Sequence, residues 1–212
     1  MYQKIKRILD FTIALILLIL FAIPMLFVAI AIKIDDRGRI FYKQPRMGKN
    51  LNVFYIYKFR TMKSDRKELE SGLTHDKMVT RVGKFLRASS IDELPQLINI
   101  IKGEMSFIGP RPWIVDYYDL FTEEQKHRCD VLPGLSGLAQ VKGRNGLNIF
   151  EKINYDLEYV KNASLKLDLK IFILSIVAAL KKSNSEISEM GIKEEFTQLR
   201  HYKEVKEHST IQ

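Results

Sequence analysis

Residues 11–32 read FTIALILLILFAIPMLFVAIAI, an unbroken run without a charged side chain from Phe11 to Ile32, with Pro24 just past its middle. At about 1.5 Å per residue this run reaches roughly 33 Å as a straight helix, the depth of a bilayer's hydrocarbon core. Lys4, Lys6 and Arg7 precede it, and Lys33, Arg37, Arg39, Lys43, Arg46 and Lys49 follow it. A single spanning helix carries its Lys/Arg excess on the cytoplasmic side only. With both flanks basic, the simplest topology keeps both ends on one face, so that the chain enters the membrane, turns and returns. Pro24 removes a backbone donor and clashes with the preceding turn, which makes it the natural bend. The carbonyls freed by a bend in lipid need partners, and Ile23 and Met25 offer none. A spanning anchor with a proline kink is the plainer alternative. A secretory signal fits less well, because the apolar run exceeds the usual core of about 7–15 residues and no small-x-small cleavage site follows.

The remaining composition bounds what the chain does outside the membrane. With 212 residues it is one domain plus a membrane element, or at most two small domains. The net charge is +9, and ten Lys/Arg against three Asp fall between Lys33 and Arg66. Such a patch suits anionic headgroups, at about 1 kcal/mol per basic residue near the surface, and equally phosphate-rich substrates or nucleic acid. The single cysteine, Cys129, excludes an internal disulfide, fits a reducing compartment and reads as a structural thiol. His75, His127, His201 and His208 show no zinc-ligand spacing.

Beyond the run, Val53–Met62 (VFYIYKFRTM) is β-branched and aromatic, and a period of two puts Phe54, Ile56, Lys58 and Arg60 on one face. The polar stretch 63–78 is expected as an exposed helix or loop. From Asp92, DELPQLINIIKGEMS predicts a helix with Leu94, Leu97, Ile98 and Ile101 along one stripe. Phe107–Trp113 (FIGPRPW) is a Gly/Pro turn, 114–129 is expected to be helical, and Pro133–Gly146 is a glycine-rich loop around a short strand. Phe150–Lys161 predicts another helix. Leu165–Lys182 is apolar but too short to span, so it is an interfacial or a core helix. The polar residues after Ser183 are expected to form a loosely ordered tail.

Asp92 and Glu93 are the carboxylates that stand out. Adjacent helical residues point about 100° apart, so the two serve different jobs. Ser90-x-x-Glu93 also matches a capping box, and acids at a helix start complement the macrodipole, so capping is the structural alternative to catalysis. Lys58, Arg60, Arg87, Arg111 and Arg144 all adjoin turns or strand ends, where functional side chains converge. Arg111 is stiffened between Pro110 and Pro112, and Arg144 lies among Gly143, Asn145 and Gly146, whose backbone N–H groups can approach an anion. Arginines on rigid turns grip phosphate through bidentate bonds, and two carboxylates suit Mg²⁺, so the set outlines a diphosphate site.

KRILDF, YKFRTM, SSIDELPQL, IKGEMSFIGPRP, LPGLSGLAQVKGRN and YDLEYVKNASLKLDLKI follow one another in the order found in the bacterial sugar transferases. Over residues 1–182 the chain resembles the monotopic phosphoglycosyl transferases of the PglC type. The resemblance implies an α/β fold, mainly helical with a small sheet, with an N-terminal re-entrant helix-break-helix and interfacial amphipathic helices. It divides the chain into a membrane hairpin at 1–34, a catalytic domain at 35–182 that includes the interfacial helix 165–182, and a polar tail at 183–212. It implies transfer of a phosphosugar from a UDP-sugar to polyprenyl (undecaprenyl) phosphate with release of UMP, on the cytoplasmic face of the bacterial inner membrane, at the start of surface glycan assembly. Asp92 would be the nucleophile and Glu93 the Mg²⁺ ligand beside it. Lys58, Arg87, Arg111 and Arg144, with Arg60, would hold phosphate or nucleotide, and Asp156 would have a structural or metal-proximal role. Membrane lipids are then partners, and no nucleic acid is expected beyond the nucleotide donor. Ile23 departs from the family's small hydroxyl residue before the bend proline, and Leu138 from its frequent Trp. The competing class is a membrane-tethered basic binding or scaffold protein, which leaves Asp92, Glu93 and the separate arginine turns without a role.

Overall fold

The apolar run forms two helices rather than one. In a computed structural model that describes residues 1–63, 78–143, 146–180 and 189–210, α1 spans Tyr2–Leu20 and α2 spans Ala22–Asp35. Arg144 and nearly all of the polar stretch 63–78 lie outside the described residues. The bend is not at Pro24, as the sequence suggested, but at Phe21, three residues earlier. The pyrrolidine ring of Pro24 has no N–H for the carbonyl four residues before it, Leu20, and clashes with it. The first helix therefore ends at Leu20, and Pro24 falls in the opening turn of α2, where a missing donor costs nothing. Hydrogen bonds from Phe21 N to Leu17 O and from Met25 N to Phe21 O, both 2.8 Å, close the two sides of the break.

Among the described residues no single helix is long and apolar enough to cross a membrane. The pair α1 and α2, bent by 60°, meets both criteria together. Ile16, Ile19, Leu20, Ile23, Leu26 and Phe27 are all more than half exposed, a continuous apolar surface that the protein itself leaves uncovered.

Contacts group the chain into two compact units, neither contiguous in sequence. One comprises Leu9–Gln44 and Tyr55–Lys102, and the other Met1–Ile8, Pro45–Phe54 and Gly103–Gln212. The hairpin of β1 (Phe41–Met47) and β2 (Val53–Phe59) contributes residues to both.

The unit that contains Asp92 is built around Ile32, Phe59 and Leu86, with Met25, Val28, Val82 and Ile91 packed on them. Strand β2 stops at Phe59, so Arg60 lies beyond the ladder and does not extend the expected strand face with Lys58. Helix Arg81–Ser89 follows, then a 3₁₀ turn at Ile91–Glu93, and a regular helix only at Gln96–Lys102. The buried face of that last helix is Gln96, Leu97, Asn99 and Ile100, not the predicted stripe of Leu94, Leu97, Ile98 and Ile101. The 3₁₀ turn and Pro95 reset the helical phase, and the buried amide of Asn99 bonds the neighbouring strand.

In the other unit, β3 (Ser106–Ile108) pairs in parallel with β4 (Gly134–Ser136). A Cβ on Gly134 would lie 2.1 Å from Gly109 N, so the close approach of these segments requires glycine. The expected helix over 114–129 is broken into turns at Val115–Leu120 and His127–Cys129 around a short helix Glu123–Lys126, because Thr122 and Gln125 start it afresh with a reciprocal capping box. Helix Ile149–Asn162 buries Ile149, Ile153 and Tyr159. In helix Leu165–Leu180 Ile171 is the one fully buried apolar residue among the described side chains, while Leu169, Phe172, Ile173, Ile176 and Val177 stay exposed, which is not the burial of a core helix. Its first turn is pinned by Asp168, which receives Tyr159 Oη at 2.6 Å and both Tyr2 Oη and Lys6 Nζ at 2.8 Å.

The C-terminal residues correct the expectation of a loose tail. Glu189–Thr210 is a helix whose Leu199 is fully buried against Tyr117, Phe121 and Ile153, with Phe196 packed alongside. Glu195 receives Lys152 Nζ at 2.6 Å and Tyr117 Oη at 2.8 Å. The i, i+3, i+6 spacing of Phe196, Leu199 and Tyr202 was the signal, masked by the charged residues around it. Leu199→Ala is expected to cost about 2–5 kcal/mol, read as a lowered midpoint in thermal unfolding of the purified full chain.

Candidate active site

The acids that end α2 position the elements around Asp92. Asp35 Oδ2 accepts the Val82 N–H at 2.9 Å, and Thr80 Oγ1 accepts the Gly83 N–H at 2.9 Å, so the start of helix Arg81–Ser89 is capped twice. A Cβ on Gly83 would come within 2.1 Å of the Thr61 carbonyl, so glycine alone lets this helix lie against the end of the strand segment. Arg87, in the last turn, donates from Nε to Thr61 Oγ1 at 3.0 Å. Arg60 pairs with the Asp36 carboxylate and donates to the Asp36 carbonyl at 2.6 Å. That guanidinium, expected to meet phosphate, is used to tie the strand's end to the end of α2.

The helix then breaks. Ser90 adopts a left-handed conformation, φ 58°, and its side chain makes no capping bond. The capping box that the sequence allowed is not formed. Glu93 instead receives Lys58 Nζ on Oε1 at 2.6 Å, with the side chains 21% and 22% exposed. Asp92 is buried. Burial raises its carboxyl above the ordinary value, Lys58 opposes that, the Glu93 charge adds to it, and Arg87 opposes it further. One carboxylate is thus sheltered from water and its neighbour is held by a lysine, in a field shaped by Lys58 and Arg87.

Asn99 completes this arrangement, and the sequence reading passed over it. Its side chain is fully buried; Oδ1 accepts the Tyr57 N–H at 3.1 Å and Nδ2 donates to Tyr55 O at 2.7 Å. The amide imitates a neighbouring strand and locks the helix after the carboxylate turn to the strand that carries Lys58. A single Asn inside the apolar run QLINIIK was the available signal.

Arg111 and Asp156 belong to the other unit. Arg111 is exposed on its turn. Asp156 is buried and accepts Arg128 Nη2 at 2.6 Å and Nε at 3.1 Å on one oxygen. Burial pushes its carboxyl up while Arg128 opposes the shift. Arg128 engages only its Oδ2, and Oδ1 is buried without a hydrogen-bond partner. Burial also raises the Cys129 thiol, which disfavours the thiolate.

Among the described residues no group of three or more His, Cys, Asp and Glu is arranged for a metal. Mg²⁺ does not need one, since it binds through one or two carboxylates and takes its other ligands from substrate phosphates and water. The adjacent carboxylates of Asp92 and Glu93 are such a donor set. Asn99→Leu, similar in volume, strands two backbone groups at about 1–3 kcal/mol each. It is expected to lower thermal stability and activity together, measured by unfolding and turnover on the same preparation.

A family model described as bacterial sugar transferase matches residues 1–182. The chain is 38% identical over 193 residues to the uncharacterized sugar transferase EpsL of Bacillus subtilis, covering 91% of this chain and 96% of that protein. It is 41% identical over 190 residues to a UDP-glucose:undecaprenyl-phosphate glucose-1-phosphate transferase of Caulobacter vibrioides, covering 85% of this chain and 71% of the relative. A galactosyl transferase, CpsE, of Streptococcus agalactiae is 38% identical over 82% of this chain, which spans only 42% of that longer relative.

Proposed function

The chain belongs to the bacterial sugar transferases, and from that premise we propose that it transfers a sugar phosphate from a UDP-sugar to polyprenyl phosphate through a covalent intermediate on Asp92. The observation that carries this reading is the turn Ile91–Glu93, where a buried carboxylate and a lysine-bound one adjoin, with Lys58 and Arg87 in electrostatic reach. The relatives named as undecaprenyl-phosphate glucose-1-phosphate transferases support the donor and acceptor classes.

In the first step Asp92 attacks the phosphorus that bears the sugar, forming an acyl phosphate and expelling UMP. In the second, a phosphate oxygen of the polyprenyl phosphate attacks the same phosphorus, leaving a polyprenyl diphosphosugar and freeing the carboxylate. Covalent catalysis means the soluble donor and the lipid acceptor need not be bound together. A carboxylate attacks an anionic diphosphate only where charge is neutralised, which Lys58 and Arg87 do from this unit. Glu93 would hold Mg²⁺ beside Asp92, and the ion when bound screens the phosphate charge. Shelter from water keeps the acyl phosphate from hydrolysis, and burial of Asp92 provides it.

The acceptor is confined to the bilayer, which places the work at the headgroup plane. The 60° break between α1 and α2, the basic flanks at both ends and the exposed apolar face of helix Leu165–Leu180 support a re-entrant, monotopic attachment on the cytoplasmic face of the inner membrane. The Ile171 side of that helix packs on the protein, leaving the opposite side for lipid.

The test is UMP release from a panel of UDP-sugars with undecaprenyl phosphate and Mg²⁺. Asp92→Asn and Glu93→Gln are each expected to lower turnover at least about a thousandfold, and full activity in Asp92→Asn would sink the nucleophile assignment. With donor alone, the intact protein should gain the mass of one phosphosugar at Asp92. Turnover without any such adduct would mean direct transfer. Chelation of Mg²⁺ with EDTA should abolish UMP release, and restored Mg²⁺ should return it.

A further inference from the structure

Four successive carbonyls of the turn around Arg111 each accept a hydrogen bond from outside the turn. Pro110 O takes the Gly134 N–H at 2.9 Å, Arg111 O takes Arg128 Nη2 at 2.7 Å, Pro112 O takes Arg46 Nη1 at 3.2 Å, and Trp113 O takes the Met47 N–H at 2.9 Å. Pro110 and Pro112 fix φ on either side of Arg111. This backbone is over-determined, yet its one long cationic side chain, Arg111, points out exposed.

Two of the four donors are arginine side chains, and one of them is deeply buried. Arg128 is 2% exposed and Asp156 1%. The Arg128 guanidinium lies 4.7 Å from the ring centroid of Trp113, bonds Asp156 through two N–H groups and spends another on the Arg111 carbonyl. A buried ion pair is a poor device for stability, since apolar residues of similar volume usually serve as well or better. Its presence calls for a role that needs the planar fork of an arginine, which reaches a carboxylate, a carbonyl and a ring face at once, as a lysine cannot.

We propose that Arg128, held in place by Asp156, is a positioning residue that fixes the turn from which Arg111 projects. The claim rests on the reading that Arg111 binds the donor's phosphates. It gives the Asp156 carboxylate a purpose at one remove from substrate, through Arg128 and the Arg111 backbone. A misplaced guanidinium weakens its grip on a diphosphate without altering the chemistry at the nucleophile, so the effect should fall on KM for the UDP-sugar rather than on kcat.

The experiment is a double-mutant cycle on the full chain in lipid nanodiscs, with kcat and KM for the UDP-sugar measured beside thermal unfolding. Arg128→Lys keeps a cation opposite Asp156, and the paired replacement Arg128→Met with Asp156→Leu removes both charges together, so neither leaves a lone buried charge. Each is expected to raise KM about tenfold or more with kcat little changed in the parent chain. Each should cost nothing further once Arg111→Ala is present. Multiplicative losses in the Arg111→Ala background, or a folded apolar pair with parental KM, would overturn the positioning role. An unchanged KM in Arg111→Ala alone would overturn the phosphate assignment of Arg111, and this inference with it.

Discussion

Asp35 and Asp36, the two acids at which the apolar helix α2 ends, hold together the unit that carries Asp92. Asp36 neutralises Arg60 just past strand β2, and Asp35 receives the Val82 N–H in the first turn of helix Arg81–Ser89. The apolar helix α2 is thereby joined to the strand that delivers Lys58 and to the helix that delivers Arg87. Arg60 is itself buried, so without Asp36 it would be an uncompensated interior charge, a loss of about 3–5 kcal/mol in comparable pairs. Helix α2 is thereby fixed to the elements around the carboxylate turn.

The same unit shows how adjacent carboxylates are given different chemistry. A left-handed residue, Ser90, breaks the helix just before them, and a tight turn sends one side chain inward and the other towards Lys58. Burial pushes the carboxyl of Asp92 up, while Lys58 and Arg87 act against that shift. A continuous helix through these residues would have left both acids at its exposed start, complementing the dipole. The break leaves one acid buried and its neighbour paired with a lysine.

Much of this was legible because it rests on local chemistry. The apolar run, the basic flanks, the Gly/Pro turn around Arg111 and the ordered motifs can all be read without knowing what touches what. Other features depended on contacts. Pro24 announced a bend, but the chain breaks at Phe21, because a proline disturbs the carbonyl four residues before it rather than its own position. Lys58 and Arg60 looked like a pair on one strand face, yet one meets Glu93 and the other Asp36, since the strand ends between them. Asn99 looked like an interruption in an apolar helix and is its anchor to the strand. The helix Glu189–Thr210 read as a polar tail because only a few of its residues are apolar, and two of them, Phe196 and Leu199, pack on the core.

By itself the sequence determined that this protein has a long uncharged apolar segment, a family motif series, and a carboxylate pair among arginines. These follow from hydropathy, backbone restriction at proline and glycine, and residue chemistry, all properties of the chain at short range. Only the tertiary structure decided which acid is buried, which cation answers which acid, and that Arg60 pairs with Asp36 and Arg128 with Asp156. Those outcomes depend on partners far apart in the chain. A charged side chain's role is set by whichever opposite charge the fold brings within hydrogen-bond reach, and no spacing in the sequence records that.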